Sequence, residues 1–82
     1  MTKQDRENLA LAYAHAWRAV KGERCDVTVE QGGWFTRVLY SGFSTPHANS
    51  MRPSALIKGL LTLNARISKG DVHHSITRAA EE

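Results

Sequence analysis

A chain of 82 residues with eleven Lys and Arg against eight Asp and Glu has room for one small domain and a formal charge of +3. At 41% hydrophobic and 23% charged residues it is globular rather than disordered, and no apolar run reaches the roughly 20 residues that span a bilayer. One cysteine, Cys25, excludes an internal disulfide and reads as a small buried apolar residue rather than a nucleophile.

The polar start, MTKQDRENL, carries no hydrophobic signal core, so the expected compartment is the cytoplasm. Thr2 can cap a first helix, with Asp5 three residues later making a weakened capping box. From there to about Lys21 the spacing is helical. At 100° per residue Leu9, Tyr13, Ala16 and Val20 share a face, flanked by Trp17 and Ala12. Gln4, Asn8, Leu11, His15 and Arg18 form the opposite stripe, and Gly22 is the expected stop.

CDVTVEQGGWFTRVLY then reads as a hairpin. Cys25, Val27 and Val29 alternate with Asp26, Thr28 and Glu30, and Gln31-Gly32-Gly33 supplies the turn. The second strand, Trp34 to Tyr40, has apolar groups on both faces: Trp34, Val38 and Tyr40 on one, Phe35 and Leu39 on the other. One face should pack on helices. The other needs cover from the C-terminal tail, a partner or a second copy of the chain, so a homodimer is among the expectations.

YSGFSTPHANSMRP, residues 40–53, reads as one long connection, and loops of that length in small domains are often functional. A helix follows from Met51 or Pro53 to Ile67, with Ser50 as its expected cap. Leu56, Leu60, Leu63 and Ile67 make its core stripe, flanked by Ile57 and Leu61, while Lys58, Thr62 and Arg66 lie on the polar side. Gly59, on that polar side, weakens the helix by about 1 kcal/mol relative to alanine. Either that cost is tolerated or something approaches the backbone there. Asn64, inside the apolar arc, is expected as a satisfied polar group at the core edge. VHHSITRAAEE reads equally as a short strand or a last helix. The expected fold is therefore α+β: a two-layer α-β-β-α domain, an antiparallel hairpin packed on two helices, with a C-terminal tail of undecided structure.

Catalytic and cofactor chemistry find little support. His73 and His74 are adjacent, so they diverge in a strand or a helix and do not converge on a metal as zinc ligands must. Ser44, Ser50 and Cys25 could serve as nucleophiles with His47 as base. An orienting carboxylate would then have to come from outside residues 31–70, which contain no Asp or Glu. Gly32-Gly33 lacks the lysine and helix of a phosphate loop. No cofactor, no metal and no enzymatic activity is expected.

Charge is unevenly spread. Residues 31–70 hold Arg37, Arg52, Lys58, Arg66 and Lys69 with no acid among them, which suits an anionic partner. The order strand, GG turn, strand, loop, helix over Val27 to Ala65 resembles the C-terminal half of a double-stranded-RNA-binding domain. Two features depart from that family. Met51-Arg52-Pro53-Ser54 stands where the family's second helix opens with a phosphate-gripping lysine cluster, and one strand is missing. In size and lack of an active-site motif the chain is also similar to accessory proteins of phages and plasmids, including anti-CRISPR inhibitors.

The expectation that follows is a non-enzymatic binding protein, a regulator or inhibitor docking on a protein or nucleoprotein partner, possible partners including nucleic-acid-processing complexes. The contact would use Arg37, Phe43, His47, Met51, Arg52, Lys58 and Arg66, with Trp34 as a further apolar anchor. The alternative is direct binding of double-stranded nucleic acid through Arg37, Arg52, Lys58 and Arg66.

Overall fold

The computed structural model describes residues 2–40 and 45–71. Its elements follow the order α1 (Lys3–Lys21), β1 (Cys25–Val29), β2 (Phe35–Leu39), β3 (His47–Met51) and α2 (Pro53–Ser68). The strands form one antiparallel sheet in the order β1-β2-β3, with both helices packed against it.

The first helix starts as its sequence requires. Thr2 Oγ1 accepts from the Asp5 N–H at 3.1 Å, and the Thr2 N–H donates to Asp5 Oδ2 at 3.0 Å. The bond from the Thr2 N–H to the ionised carboxylate, helped by the Thr2 side chain, holds the Asp5 pKa below its ordinary value. Gly22 ends the helix in the left-handed region at φ 70°, its N–H donating to the Arg18 carbonyl at 2.9 Å. The hairpin closes over Gln31-Gly32-Gly33, with both glycines at φ near 90°. Gly33 is also a close-approach point: a Cβ there would sit 3.1 Å from Arg6 Cζ, so the turn is packed under α1.

Register sorts the sheet into two rows of side chains. Cys25, Leu39 and His47, then Val27, Arg37 and Asn49, then Val29, Phe35 and Met51 lie side by side on the helix-facing side. Phe35 and Leu56 have no exposed surface, and with Ala10, Tyr13, Ala16, Val20, Cys25 and Leu63 they form the core. Burial pushes the Cys25 thiol up to about 11, against a smaller opposing pull from the Arg37 guanidinium.

Four expectations need correction. Residues 40–53 are not one long connection, because His47–Met51 is a third strand on the β2 edge. Ser50 does not cap α2: Arg52 occupies the cap position without a side-chain bond, while Ser50 Oγ donates to Glu30 Oε2 at 2.7 Å. Ile57 and Leu61, 36% and 64% exposed, do not flank the core. Asn64 is exposed rather than held at the core edge. Gly59 has found its reason: a Cβ there would lie 3.0 Å from Tyr13 Cε2, so the ring of α1 lies against the backbone of α2.

Candidate functional site

The side of the sheet away from the helices carries the second row. Asp26, Val38 and Ala48 lie abreast, as do Thr28, Thr36 and Ser50. Strand alternation extends this row to Trp34 and Tyr40 on the two ends of β2 and to Arg52 beyond β3. At 3.3–3.4 Å per residue the two aromatics stand about 20 Å apart along β2.

Each aromatic carries an arginine. Arg52 Cζ is 5.6 Å from the Trp34 ring centroid, and Arg24 Cζ is 4.6 Å from that of Tyr40. Trp34 is 43% exposed, the largest side chain among the exposed hydrophobics described. Arg24 is further held by Asp26 Oδ2 at 3.0 Å. Between the two ends lie Thr28, Thr36, Val38, Ala48 and Ser50, all short or medium side chains. The face is thus a platform of hydroxyls and small apolar groups with the carboxylates of Asp26 and Glu30 among them and a cation-covered ring at each end.

The seven residues singled out from sequence do not form one surface. Arg52 belongs to the platform. Arg37 points the other way, into the space between sheet and helices, where its Nη1 donates to the Tyr13 hydroxyl at 2.8 Å. Its Cζ lies 5.2 Å from the Trp17 ring centroid. Among the described residues no carboxylate pairs with Arg37, and its Nε and the Trp17 Nε1 are buried without a partner. Met51 packs against the core from the end of β3. His47 and Asn49 belong to the helix-facing row yet stay exposed, so the helices leave the β3 side of that row open. Lys58 is exposed on α2, and Arg66 is tied to Asp71 by a 2.7 Å ion pair. Phe43 and Ser44, like His73 and His74, lie outside the described residues.

Sequence reasoning missed the pairing of Trp34 with Arg52 and of Tyr40 with Arg24. The signal was present in part: Trp34, Val38 and Tyr40 alternate on one side of β2. The position of Arg52 beside Trp34 depends on the third strand, which carries the chain back across the sheet.

Among the described residues no three His, Cys, Asp or Glu side chains gather as metal ligands would, and no helix is long and apolar enough to cross a membrane. No family model matches the chain, and no curated protein and no solved structure matches it.

Proposed function

We propose that this chain is a non-enzymatic binding protein, a regulator or inhibitor of the kind carried by phages and other mobile elements, and that it docks on a protein or nucleoprotein partner through the platform face of its sheet. The observation that carries this reading is the Trp34–Arg52 pair, a large half-exposed aromatic with a guanidinium on its ring, on the face of the sheet that neither α1 nor α2 covers. Trp, Tyr and Arg are the residue types that anchor protein interfaces, because each buries a large surface for few frozen torsions and ends in a polar group. Truncating such an anchor costs on the order of 2 kcal/mol or more of binding, about 30-fold in affinity.

Direct binding of a nucleic-acid duplex is the second reading, favoured by exposed Arg52 and Lys58. It draws on fewer cations than the sequence suggested. Arg37 faces inward and Arg66 is paired with Asp71, so the four candidate phosphate contacts reduce to two. At about 0.9 per neutralised phosphate, the log-log salt slope of duplex binding would be near −2 rather than near −4.

The test is affinity capture from a lysate of the native host, with and without nuclease, using the wild type, Trp34→Ala and Arg52→Glu. A partner that survives nuclease, is lost with Trp34→Ala and is weakened by Arg52→Glu, at unchanged melting temperature, supports the proposal. Capture abolished by nuclease shifts the reading to the duplex. Nuclease-resistant capture that ignores both substitutions removes the platform face from consideration.

A further inference from the structure

The free edge of β1 offers a second surface of different character. β1 is the outer strand of the sheet, and among the described residues nothing pairs with its other side. Two hydrogen bonds show which backbone groups are free. The Glu30 N–H donates to the Trp34 carbonyl at 2.8 Å, and the Tyr40 N–H donates to the Arg24 carbonyl at 3.3 Å. Even-numbered residues therefore turn their amides and carbonyls toward β2. By antiparallel alternation, Cys25, Val27 and Val29 turn theirs outward.

A cavity of about 920 Å³ runs along this edge, between β1 with its turn and the flank of α1. Ala10, Leu11, Val27 and Val29 give it an apolar floor, with Leu11 60% exposed, and charged side chains, Lys3, Arg6, Glu7 and Glu30, also line it. An unpaired edge beside an apolar groove is a template for another strand, and native folds usually blunt it with an inward charge, a proline or a bulge. β1 has no proline, bulge or inward charge: its five residues are Cys, Asp, Val, Thr and Val in a regular ladder, and its one charge, Asp26, lies on the platform side and is paired with Arg24.

The sequence of the edge indicates which strand it accepts. Laid antiparallel on itself about Val27, the segment Arg24–Glu30 is self-complementary. Val27 meets Val27 of the partner subunit, and Cys25 meets the partner's Val29, using the outward backbone groups of both strands. On the platform side Asp26 meets the partner's Thr28. At each end Arg24 meets the partner's Glu30, a pair of opposite charges made twice by the two-fold axis. A shift of the axis to Asp26 would set the two Asp26 carboxylates against each other, and a shift to Thr28 would set Asp26 against the partner's Glu30, so the charges select the register centred on Val27.

We propose that two copies of this chain associate edge to edge through β1, forming a continuous six-stranded antiparallel sheet with the four helices on one side. The exposed Leu11 and the groove beside β1 are covered at the seam. The two platform faces become one surface, with the Trp34–Arg52 pair repeated across the axis. The inference does not rest on the proposed function, since it is read from mass and cross-linking rather than from capture of a partner.

Sedimentation or light scattering at tens of micromolar should give twice the 9.1 kDa chain mass. Arg24→Glu sets two carboxylates against the partner's Glu30, and Glu30→Arg sets two guanidiniums together. Each alone should weaken the dimer about tenfold, by like charges directly opposed at both ends of the seam. Mixed in equal amounts, the two variants should form a heterodimer in which both pairs are restored. A cross-link checks the register independently of these charges. Asp26 and the partner's Thr28 form a pair without mutual backbone bonds, about 4.5 Å apart at Cα, which suits a disulfide. In a Cys25→Ala background, Asp26→Cys and Thr28→Cys chains should cross-link when mixed and not separately. A wild-type monomer at these concentrations overturns the proposal. So does a dimer whose mixed cysteine variants cross-link no faster than either alone.

Discussion

Gly59→Ala is the substitution on which helix propensity and packing disagree, and the structure decides between them. In a helix interior alanine is favoured over glycine by about 1 kcal/mol, so the local rule predicts a more stable protein. The added Cβ would lie 3.0 Å from Tyr13 Cε2, where carbon atoms prefer about 3.5–4.0 Å. Relief requires the ring or the helix to move. Tyr13 is 2% exposed, its hydroxyl accepts from Arg37 Nη1 at 2.8 Å, and its ring stacks on Trp17 at 6.1 Å between centroids. Shifting it would strain a bond from a charged donor worth about 1.5–3 kcal/mol. Overpacking of this kind costs about 1–3 kcal/mol, and with the ring held by that bond the upper part of the range, about 2–3 kcal/mol, applies; after a propensity gain of about 1 kcal/mol the expected net loss is about 1–2 kcal/mol. Urea unfolding followed by circular dichroism measures it directly. The melting temperature should fall by at least about 4 °C. In a Tyr13→Leu background the ring is gone, and the penalty for Gly59→Ala should shrink or reverse. If Gly59→Ala is as stable as the wild type or more so, the close contact between α1 and α2 is not as described.

Two further outcomes test the core and its electrostatics. Leu56→Ala, at a site with no exposed surface, should cost about 2–5 kcal/mol, whereas Leu61→Ala, 64% exposed one turn and a residue later, should cost under about 0.5 kcal/mol; equal losses in urea titrations would mean that α2 is rotated. The raised Cys25 pKa makes the folded state hold its thiol proton to about pH 11, while the unfolded chain releases it near the ordinary value of 9.0. Its contribution is therefore fully present below pH 9 and lost as pH rises from 9 toward 11. Unfolding free energies of wild type and Cys25→Ala, compared from pH 7 to 11, should converge over that window by about 1–3 kcal/mol, and a constant difference would refute the burial of the thiol.

What could be read from sequence was local and periodic. The stripe of Tyr13, Ala16 and Val20, the capping box of Thr2 and Asp5, the glycine turn and the stripe of Leu56 and Leu63 each express their geometry within a few residues. The third strand could not be read that way. His47-Ala48-Asn49-Ser50-Met51 has no apolar alternation, and Ala and Asn are poor strand formers. It is a strand because the β2 edge needs partners for its backbone groups at Phe35, Arg37 and Leu39, a requirement set elsewhere in the chain. Arg37 was misjudged for a different reason. Its place between Phe35 and Leu39 already put it in the helix-facing row, but its charge alone suggested the surface. The structure reconciles the two by giving the guanidinium the Tyr13 hydroxyl and the Trp17 ring.

The inward turn of Arg37 also changes what the basic middle of the sequence means. A count of five cations and no acids over residues 31–70 suggests a surface that selects for charge. In the fold one of those cations lies between the layers and another is held by Asp71, just beyond the segment. Arg52 remains exposed, but over an aromatic ring rather than within a cluster of like charges. A guanidinium in that setting adds planar stacking area and directed donors to an apolar anchor, and only secondarily a field that reaches phosphates. Recognition by such a pair depends on shape and on burial of the indole. It should therefore persist at salt concentrations that dissolve contacts made by charge alone.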